Sequence, residues 1–203
     1  MRGGQCRLLL LRHGQSEWNV DGRWQGDADP PLTAEGRHQA AHAASALADL
    51  GPFSAVWSSD LSRATETAEI LGSALQVFDI QRHPGLRESG LGPWQGLTVE
   101  QIEAQWPGYL AERRRPPGAE DAHLVLARFT RAITDIARDS RRDETILVIT
   151  HAGVMRQLRR ALQRPDVRFT NLAGFWVHID RKTAAIEVGG AITTVDAPLP
   201  ESL

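Results

Sequence analysis

Two short runs constrain this chain more than any other feature. Leu8-Leu9-Leu10-Leu11 breaks into Arg12-His13-Gly14, and Thr145-Ile146-Leu147-Val148-Ile149-Thr150 breaks into His151-Ala152-Gly153. Each apolar run is too short to span a membrane and long enough for one buried strand. Strands buried on both faces belong to parallel sheets covered by helices. The carboxyl ends of such strands are where α/β sheets place ligand sites. Gly14 is expected to let the chain turn sharply and to bring backbone N–H groups close to an anion. If the two strands are neighbours, His13 and His151 emerge on one edge of the sheet. Taken alone, Arg-His-Gly reads equally well as a strand that ends in a polar turn.

The rest of the chain alternates strand and helix signals. Asn19 to Pro31, rich in Gly, Asp and Trp, reads as a loop. Within it, Gly22 to Gly26 is either pocket lining or a structural turn around Trp24. Thr33 reads as an N-cap, followed by Ala40, Ala41, Ala44, Leu47 and Ala48 at helical spacing, with Gly51-Pro52 as the stop. Phe53 to Trp57 is a short strand. Ser58-Ser59-Asp60 then caps a helix with Leu61, Ala64, Ala68, Leu71 and Leu75 on one face. Arg63 falls in its first turn, where a cation opposes the helix dipole. Such local costs mark functional sites, and exposed arginines with no function are also common there.

Val77 to Ile80 is expected to be a strand and Leu86 to Gly96 irregular. A short helix runs from Thr98 to Trp106. Arg113 to Gly118 is a basic, Pro-rich connection, either a solvated face or a contact for an anionic substrate. A long helix follows with Val125, Phe129, Ala132, Ile133 and Ile136 inward. Leu172 to Ile179 and Ala184 to Gly189 form a late hairpin turning at Asp180-Arg181-Lys182, and the Pro-rich tail after Val195 is expected to be loosely held. The 203 residues suffice for a sizeable core. The expectation is a single three-layer α/β/α domain over residues 1–203 with a mainly parallel central sheet.

A formal net charge of -2 gives no global attraction to nucleic acid or anionic membrane, so any anion site must be a local arginine cluster. Cys6 is the one cysteine, which excludes an intramolecular disulfide framework and suits a small core residue. Arg2 and Arg7 ahead of the leucines suggest a secretory signal in outline, but no small-residue cleavage site follows, so a cytoplasmic protein is expected. His38 and His42 stand four apart without a third ligand, and no metal is expected there.

Arg12 and Arg63 beside His13 and His151 would put two guanidinium forks next to two imidazoles. Guanidinium forks match phosphate geometry. A neutral imidazole attacks phosphorus when its other nitrogen is held by a hydrogen bond. This is chemistry for phosphoryl transfer without a metal, with arginines stabilising the developing charge.

Four blocks carry a family resemblance. They are Leu11-Arg12-His13-Gly14-Gln15-Ser16, Ser59 to Ala68, Leu86-Arg87-Glu88 with Gly92-Pro93-Trp94-Gln95-Gly96, and Thr150-His151-Ala152-Gly153. In that order they resemble the motifs of the histidine phosphatase superfamily, phosphoglycerate mutase-like branch. The resemblance implies that His13 is the nucleophile and that Arg12, Arg63 and His151 hold the phosphoryl oxygens. It implies that Asn19 belongs to the phosphate pocket, that Gln25 and Gly26 touch the substrate, and that Glu88 is the general acid and then the base for water. It implies no metal and no cofactor.

The activity it implies is that of a phosphomonoesterase, a hydrolase acting on a small phosphorylated metabolite. The stretch from Leu86 to Thr98 resembles members acting on phosphoglycerate-type substrates; a sugar phosphate is the other class. The alternatives are a cofactor-dependent phosphoglycerate mutase and a catalytically silent phosphate-binding regulatory module. Mutases of the family carry a long insertion between the Glu88 and His151 blocks that shields the phosphoenzyme from water, and here the interval is short. They also use a paired arginine near Arg113, Arg114 and Arg115. The Pro116-Pro117-Gly118-Ala119-Glu120 stretch departs from the Gly-Glu-Ser-like pattern of the phosphatases. The expected partner is the substrate alone, with a homodimer as the assembly considered.

Overall fold

A computed structural model of the protein describes residues 4–141 and 144–194. Arg2 and the tail after Val195 lie outside them. Six strands form one sheet: β1 (Gln5–Arg12), β2 (Ala55–Ser58), β3 (Ile80–Arg82), β4 (Thr145–Thr150), β5 (Ala173–Asp180) and β6 (Ile186–Thr193). Among the described residues the helices are α1 (Glu17–Val20), α2 (Ala34–Ala48), α3 (Ser62–Leu75), α4 (Val99–Gln105), α5 (Ala122–Asp139) and α6 (Ala152–Ala161), with 3-10 turns at Pro84–Leu86 and Gly92–Trp94. The strand order is β3-β2-β4-β1-β5-β6. β3, β2, β4 and β1 run parallel, and β5 and β6 add an antiparallel edge.

The two apolar runs are the centre of this sheet. Leu8 and Leu10 pack on one face with Ile146 and Val148, under Val125, Phe129 and Ile133 of α5 and Val154, Met155 and Leu158 of α6. Leu9 and Leu11 pack on the other with Leu147 and Ile149, under Ala43 and Leu47 of α2 and Ala64, Ala68 and Leu71 of α3. A continuous apolar run is what a strand covered on both sides needs, and each fully buried Leu or Ile contributes roughly 1.5–3 kcal/mol.

β1 and β4 are adjacent and parallel, with Arg12 opposite Thr150. After β1 the chain goes to α2 on one face, and after β4 to α6 on the other. Neighbouring strands whose exits diverge open a crevice at their carboxyl ends. The hydrogen bond from His13 N–H to the Thr150 carbonyl (3.0 Å) carries the pairing one residue beyond the strands. His13 and His151 thereby stand side by side.

Several local expectations shift. α3 has Leu61 rather than Ser58-Ser59-Asp60 at its N-cap, without a side-chain cap bond. Its first N–H group is met from a distance, because Asp29 accepts from Ser62 N (2.7 Å) and from the Ser62 hydroxyl (2.8 Å). That carboxylate also offsets the Arg63 cation at the positive end of the helix. Asp60 instead holds Arg87 through both oxygens (2.7 and 2.6 Å). The third strand lies at Ile80–Arg82 rather than Val77 to Ile80, because Gln76 turns left-handed and Val77 N–H closes the end of α3 on Gly72 O (2.8 Å). The segment from Asn19 begins inside a helical turn, α1, where Ser16 and Asn19 form a reciprocal cap. On α2 the buried stripe is Ala40, Ala43, Ala44 and Leu47, with Ala41 and Ala48 outward. The late hairpin forms, with the Asp180 carboxylate accepting from Lys182 N (2.9 Å) and Thr183 N (2.8 Å). Cys6 is fully buried, which pushes its thiol pKa up. Among the described residues no helix is long and apolar enough to cross a membrane.

Candidate active site

A cleft of about 290 Å³ opens at the carboxyl ends of β1 and β4. Arg12, His13, Asn19, Gln25, Gly26, Arg63, Glu88 and His151 all line it. The structure therefore brings together the eight residues to which the family resemblance assigns a role.

The floor is made of the two histidines, whose ring centroids are 5.1 Å apart. His13 is 3% exposed and His151 is 1% exposed. His13 Nδ1 lies 2.6 Å from Gly14 O. A carbonyl only accepts, so Nδ1 carries the proton and Nε2 keeps its lone pair. Arg63 Nε donates to that Nε2 at 3.3 Å. Burial first, then the positive fields of Arg63 and Arg12, hold the His13 pKa well below its ordinary value, so the ring is neutral. Burial, Arg63 and His13 do the same to His151.

The guanidiniums are held on their outer sides. Arg63 donates to Ala28 O (2.7 Å) and Gly26 O (2.9 Å), so the Gln25-Gly26 loop positions it. Arg12 donates to Phe169 O at 2.8 Å. Burial pulls both arginines down to about 10, with Glu88 opposing, so both stay charged at neutral pH. Among the described residues Arg12 Nε and both His151 ring nitrogens are buried without a hydrogen-bond partner. Buried donors of this kind are costly unless satisfied, and a tetrahedral oxyanion between the two rings would satisfy them.

Glu88 stands on the wall. Its Oε2 accepts from Gly153 N (2.8 Å) and its Oε1 from Ser89 N (2.9 Å). A Cβ at position 153 would lie on top of that carboxylate. Gly153, two residues after His151, is therefore what lets α6 present that N–H group to Glu88. Gly14 acts differently from the expectation. Its N–H is spent on Thr67 Oγ1 (3.1 Å), and a Cβ there would meet Gly36 O at 2.5 Å. It serves close packing of the His13 turn on α2, and its N–H is not offered to an anion.

Several contributors were not legible in the sequence. Asn171 donates to His13 O (2.9 Å) and to Asn19 Oδ1 (3.2 Å), tying the turn at His13 to Asn19. Gln25 accepts from Ser16 Oγ at 2.9 Å. The outer wall carries Arg23, Arg115, Arg156, Gln157 and Arg160. Of the basic connection only Arg115 reaches the cleft, with its guanidinium 5.6 Å from the Trp24 ring and 5.8 Å from Trp94. Arg114 stacks on Tyr109 instead, at 3.8 Å, and pairs with Glu112 at 2.7 Å. Trp24, with two readings open, does both: it packs edge-on against Trp94 at 5.5 Å and lines the cleft. The α6 contributors had a signal, since Gly153, Arg156, Gln157 and Arg160 recur at the i, i+3, i+4, i+7 spacing of one helix face. His38 and His42 face each other on α2 (6.4 Å), and among the described residues no group of three His, Cys, Asp or Glu side chains is placed to hold a metal.

The model of the histidine phosphatase superfamily (branch 1) matches residues 8–181. A glucosyl-3-phosphoglycerate phosphatase of Mycobacterium tuberculosis is 34% identical over 194 residues, covering 84% of this chain and 86% of the relative. A 2,3-bisphosphoglycerate-dependent phosphoglycerate mutase of Bartonella henselae is 31% identical over 166 residues, covering 77% of this chain and 81% of the mutase. The solved complex of the mycobacterial glucosyl-3-phosphoglycerate phosphatase with inorganic phosphate superimposes with a TM-score of 0.74 at 30% identity, covering 93% of this chain and 97% of that one.

Proposed function

The chain belongs to the histidine phosphatase superfamily, branch 1, as a hydrolase of phosphate esters, and on that premise we propose that it works without a metal, through a phosphohistidine at His13. The observation that carries this reading is the His13 ring. Its Nδ1 proton is fixed on Gly14 O, which leaves Nε2 unprotonated beside Arg63 Nε (3.3 Å) and the His151 ring (5.1 Å between centroids).

In the first step Nε2 attacks phosphorus in line, and the Nδ1–H bond to Gly14 O stabilises the charge that develops on the ring. Arg12, Arg63 and His151 hold the equatorial oxygens, and Asn19 completes the pocket. Glu88, on the wall, gives its proton to the departing alkoxide. In the second step the Glu88 carboxylate takes a proton from water as that water attacks the phosphohistidine. Phosphate then leaves and His13 returns to its neutral form.

Hydrolysis is favoured over mutase turnover because the interval between Glu88 and His151 is short and leaves the cleft open to water. The mutase reading is the less supported one. The substrate we propose is a phosphoglycerate-type ester, a phosphomonoester bearing a second anionic group. The outer wall supports this. Arg115, Arg156 and Arg160 line one side of the cleft, and a single carboxylate, Asp166, pairs with two of them (2.7 Å to Arg156, 3.3 Å to Arg160). Burial lowers the Arg115 pKa first, Glu88 opposes, and repulsion from Arg160 and Arg156 lowers it further. A carboxylate on the substrate would relieve that repulsion. The proposal extends to a cytoplasmic location and a homodimer, the latter to be read by light scattering.

The test is phosphate release over a panel of phosphomonoesters in buffer containing EDTA. Carboxylate-bearing esters should lead the panel and EDTA should leave the rate unchanged. A rate lost to EDTA and restored by Mg²⁺ or Zn²⁺ would refute the mechanism. Rapid isomerisation of 3-phosphoglycerate with a bisphosphoglycerate primer and no phosphate release would restore the mutase.

A further inference from the structure

The segment that carries Glu88 is irregular between the two 3-10 turns, so its backbone groups have no ladder or helix to bond to. Two residues from a distant part of the chain take them up. Arg128, on α5, donates to Gly85 O (3.1 Å), Arg87 O (2.7 Å) and Glu88 O (2.8 Å). Its remaining bonds go to Glu120, Nε to Oε1 at 2.7 Å and Nη2 to Oε2 at 2.9 Å. A guanidinium has five N–H donors in a rigid fork, and here all five are engaged. Glu120 closes the arrangement. Its Oε2 also accepts from Gly90 N (3.0 Å), and its own N–H donates to Gly90 O (2.8 Å). The Arg128 bonds hold the Glu120 carboxyl below the usual carboxylate range, so the pair stays ionised at working pH.

From this geometry we propose that Arg128 and Glu120 are positioning residues for Glu88. They hold the backbone on both sides of Glu88 so that its carboxyl stays against Gly153 N and over the phosphoryl site. The inference rests on Glu88 acting as the acid and base of the reaction. It assigns a role to the one acidic residue of the Pro116 to Glu120 stretch, which departs from the family's pattern. Neither residue lines the cleft, and neither touches a reacting atom. A positioning error at a proton donor penalises the bond-breaking step in proportion to how much that step needs the proton. Alkyl phosphates, with poor leaving groups, need it most, and aryl phosphates need it least.

Arg128→Lys keeps the charge and loses the fork, and Glu120→Gln keeps the shape and loses the charge. Each variant is measured on an alkyl phosphomonoester and on 4-nitrophenyl phosphate, next to Glu88→Gln and the double variant Glu88→Gln/Arg128→Lys. Arg128→Lys should lower kcat for the alkyl ester about tenfold to a hundredfold and leave the aryl ester within about threefold. The double variant should be no worse than Glu88→Gln alone, because a residue that acts only through Glu88 has nothing left to position. Phosphoenzyme should still form from the aryl ester. A thermal melt on each variant separates global unfolding, which slows both esters equally, from mispositioning, and Glu120→Gln supplies the reading if Arg128→Lys does not fold. Equal losses on both esters in a folded variant, or additive losses in the double variant, would overturn the proposal. If Glu88→Gln shows the leaving-group selectivity and Arg128→Lys does not, the positioning role falls and the role of Glu88 stands. If neither shows it, both fall.

Discussion

His13 and His151 follow adjacent parallel strands, each with a small residue, Gly14 or Ala152, directly after it, yet the fold gives them different settings. His13 is held at both ring nitrogens, by Gly14 O and by Arg63. His151 is buried as deeply and, among the described residues, has no hydrogen-bond partner on either nitrogen. A ring fixed in one tautomer with Nε2 unprotonated is prepared to attack. A ring with free nitrogens is prepared to take up bonds that the ligand brings. The difference comes from the path of the chain beyond each strand. After β1 the chain turns back on itself, so the carbonyl of Gly14 meets the imidazole. After β4 the chain enters α6 at once, and His151 becomes its N-cap without a cap bond.

The largest effect that can break this comparison is the loss of each ring. His13→Ala should abolish turnover and phosphoenzyme, a loss on the order of 10⁴-fold or more. His151→Ala should slow turnover by about 10²–10³-fold, as loss of an oxyanion ligand does, and still form phosphoenzyme. Steady-state rates with a rapid-quench phosphoenzyme assay measure both. Equal losses with no phosphoenzyme in either variant would make the two rings equivalent.

A smaller effect separates floor from wall. Arg115→Ala or Arg160→Ala should raise KM for a carboxylate-bearing ester about tenfold, the equivalent of roughly 1.5 kcal/mol for one charge-assisted hydrogen bond. For an alkyl phosphate with no charge beyond the phosphate, KM should barely move. A uniform rise for both esters would mean that these arginines serve the phosphate alone.

The smallest effect is in stability. Both imidazoles have pKa values lowered by burial, so below about pH 6.5 the unfolded chain binds protons that the folded one refuses. The contribution is fully present above the unfolded-state pKa and is lost as pH falls below it. In phosphate-free buffer, unfolding free energy should drop by up to about 1.4 kcal/mol per pH unit for each ring. Removing either ring by mutation should halve that slope. A flat profile between about pH 6.5 and 5 would show that the rings charge freely in the folded protein.

The buried strands and the two histidines could be read from the sequence because a doubly covered strand needs an unbroken apolar run, and both runs are short and end in a polar break of His and a small residue. Arg63 was legible as a breach of the helix dipole rule and as part of a motif. The relief of that breach was not legible, because Asp29 reaches the start of α3 from a loop 33 residues earlier in the chain. Asn171 and Arg128 were hidden for the same reason. They act 158 and 40 residues away, on backbone carbonyls, and a carbonyl leaves no mark on residue type. Gly14 was found for the wrong cause, since close approach to Gly36 and a free N–H both ask for glycine.

The division of roles between the two rings depends most directly on which one takes the phosphoryl group. The enzyme is mixed with an activated aryl phosphate, quenched at alkaline pH where phosphohistidine survives, and digested for peptide mass analysis. The phosphoryl group should sit on the peptide containing His13, on Nε2 by phosphorus NMR. A phosphoryl group on the peptide containing His151, or on Nδ1 of His13, would contradict the reading drawn from the Gly14 hydrogen bond.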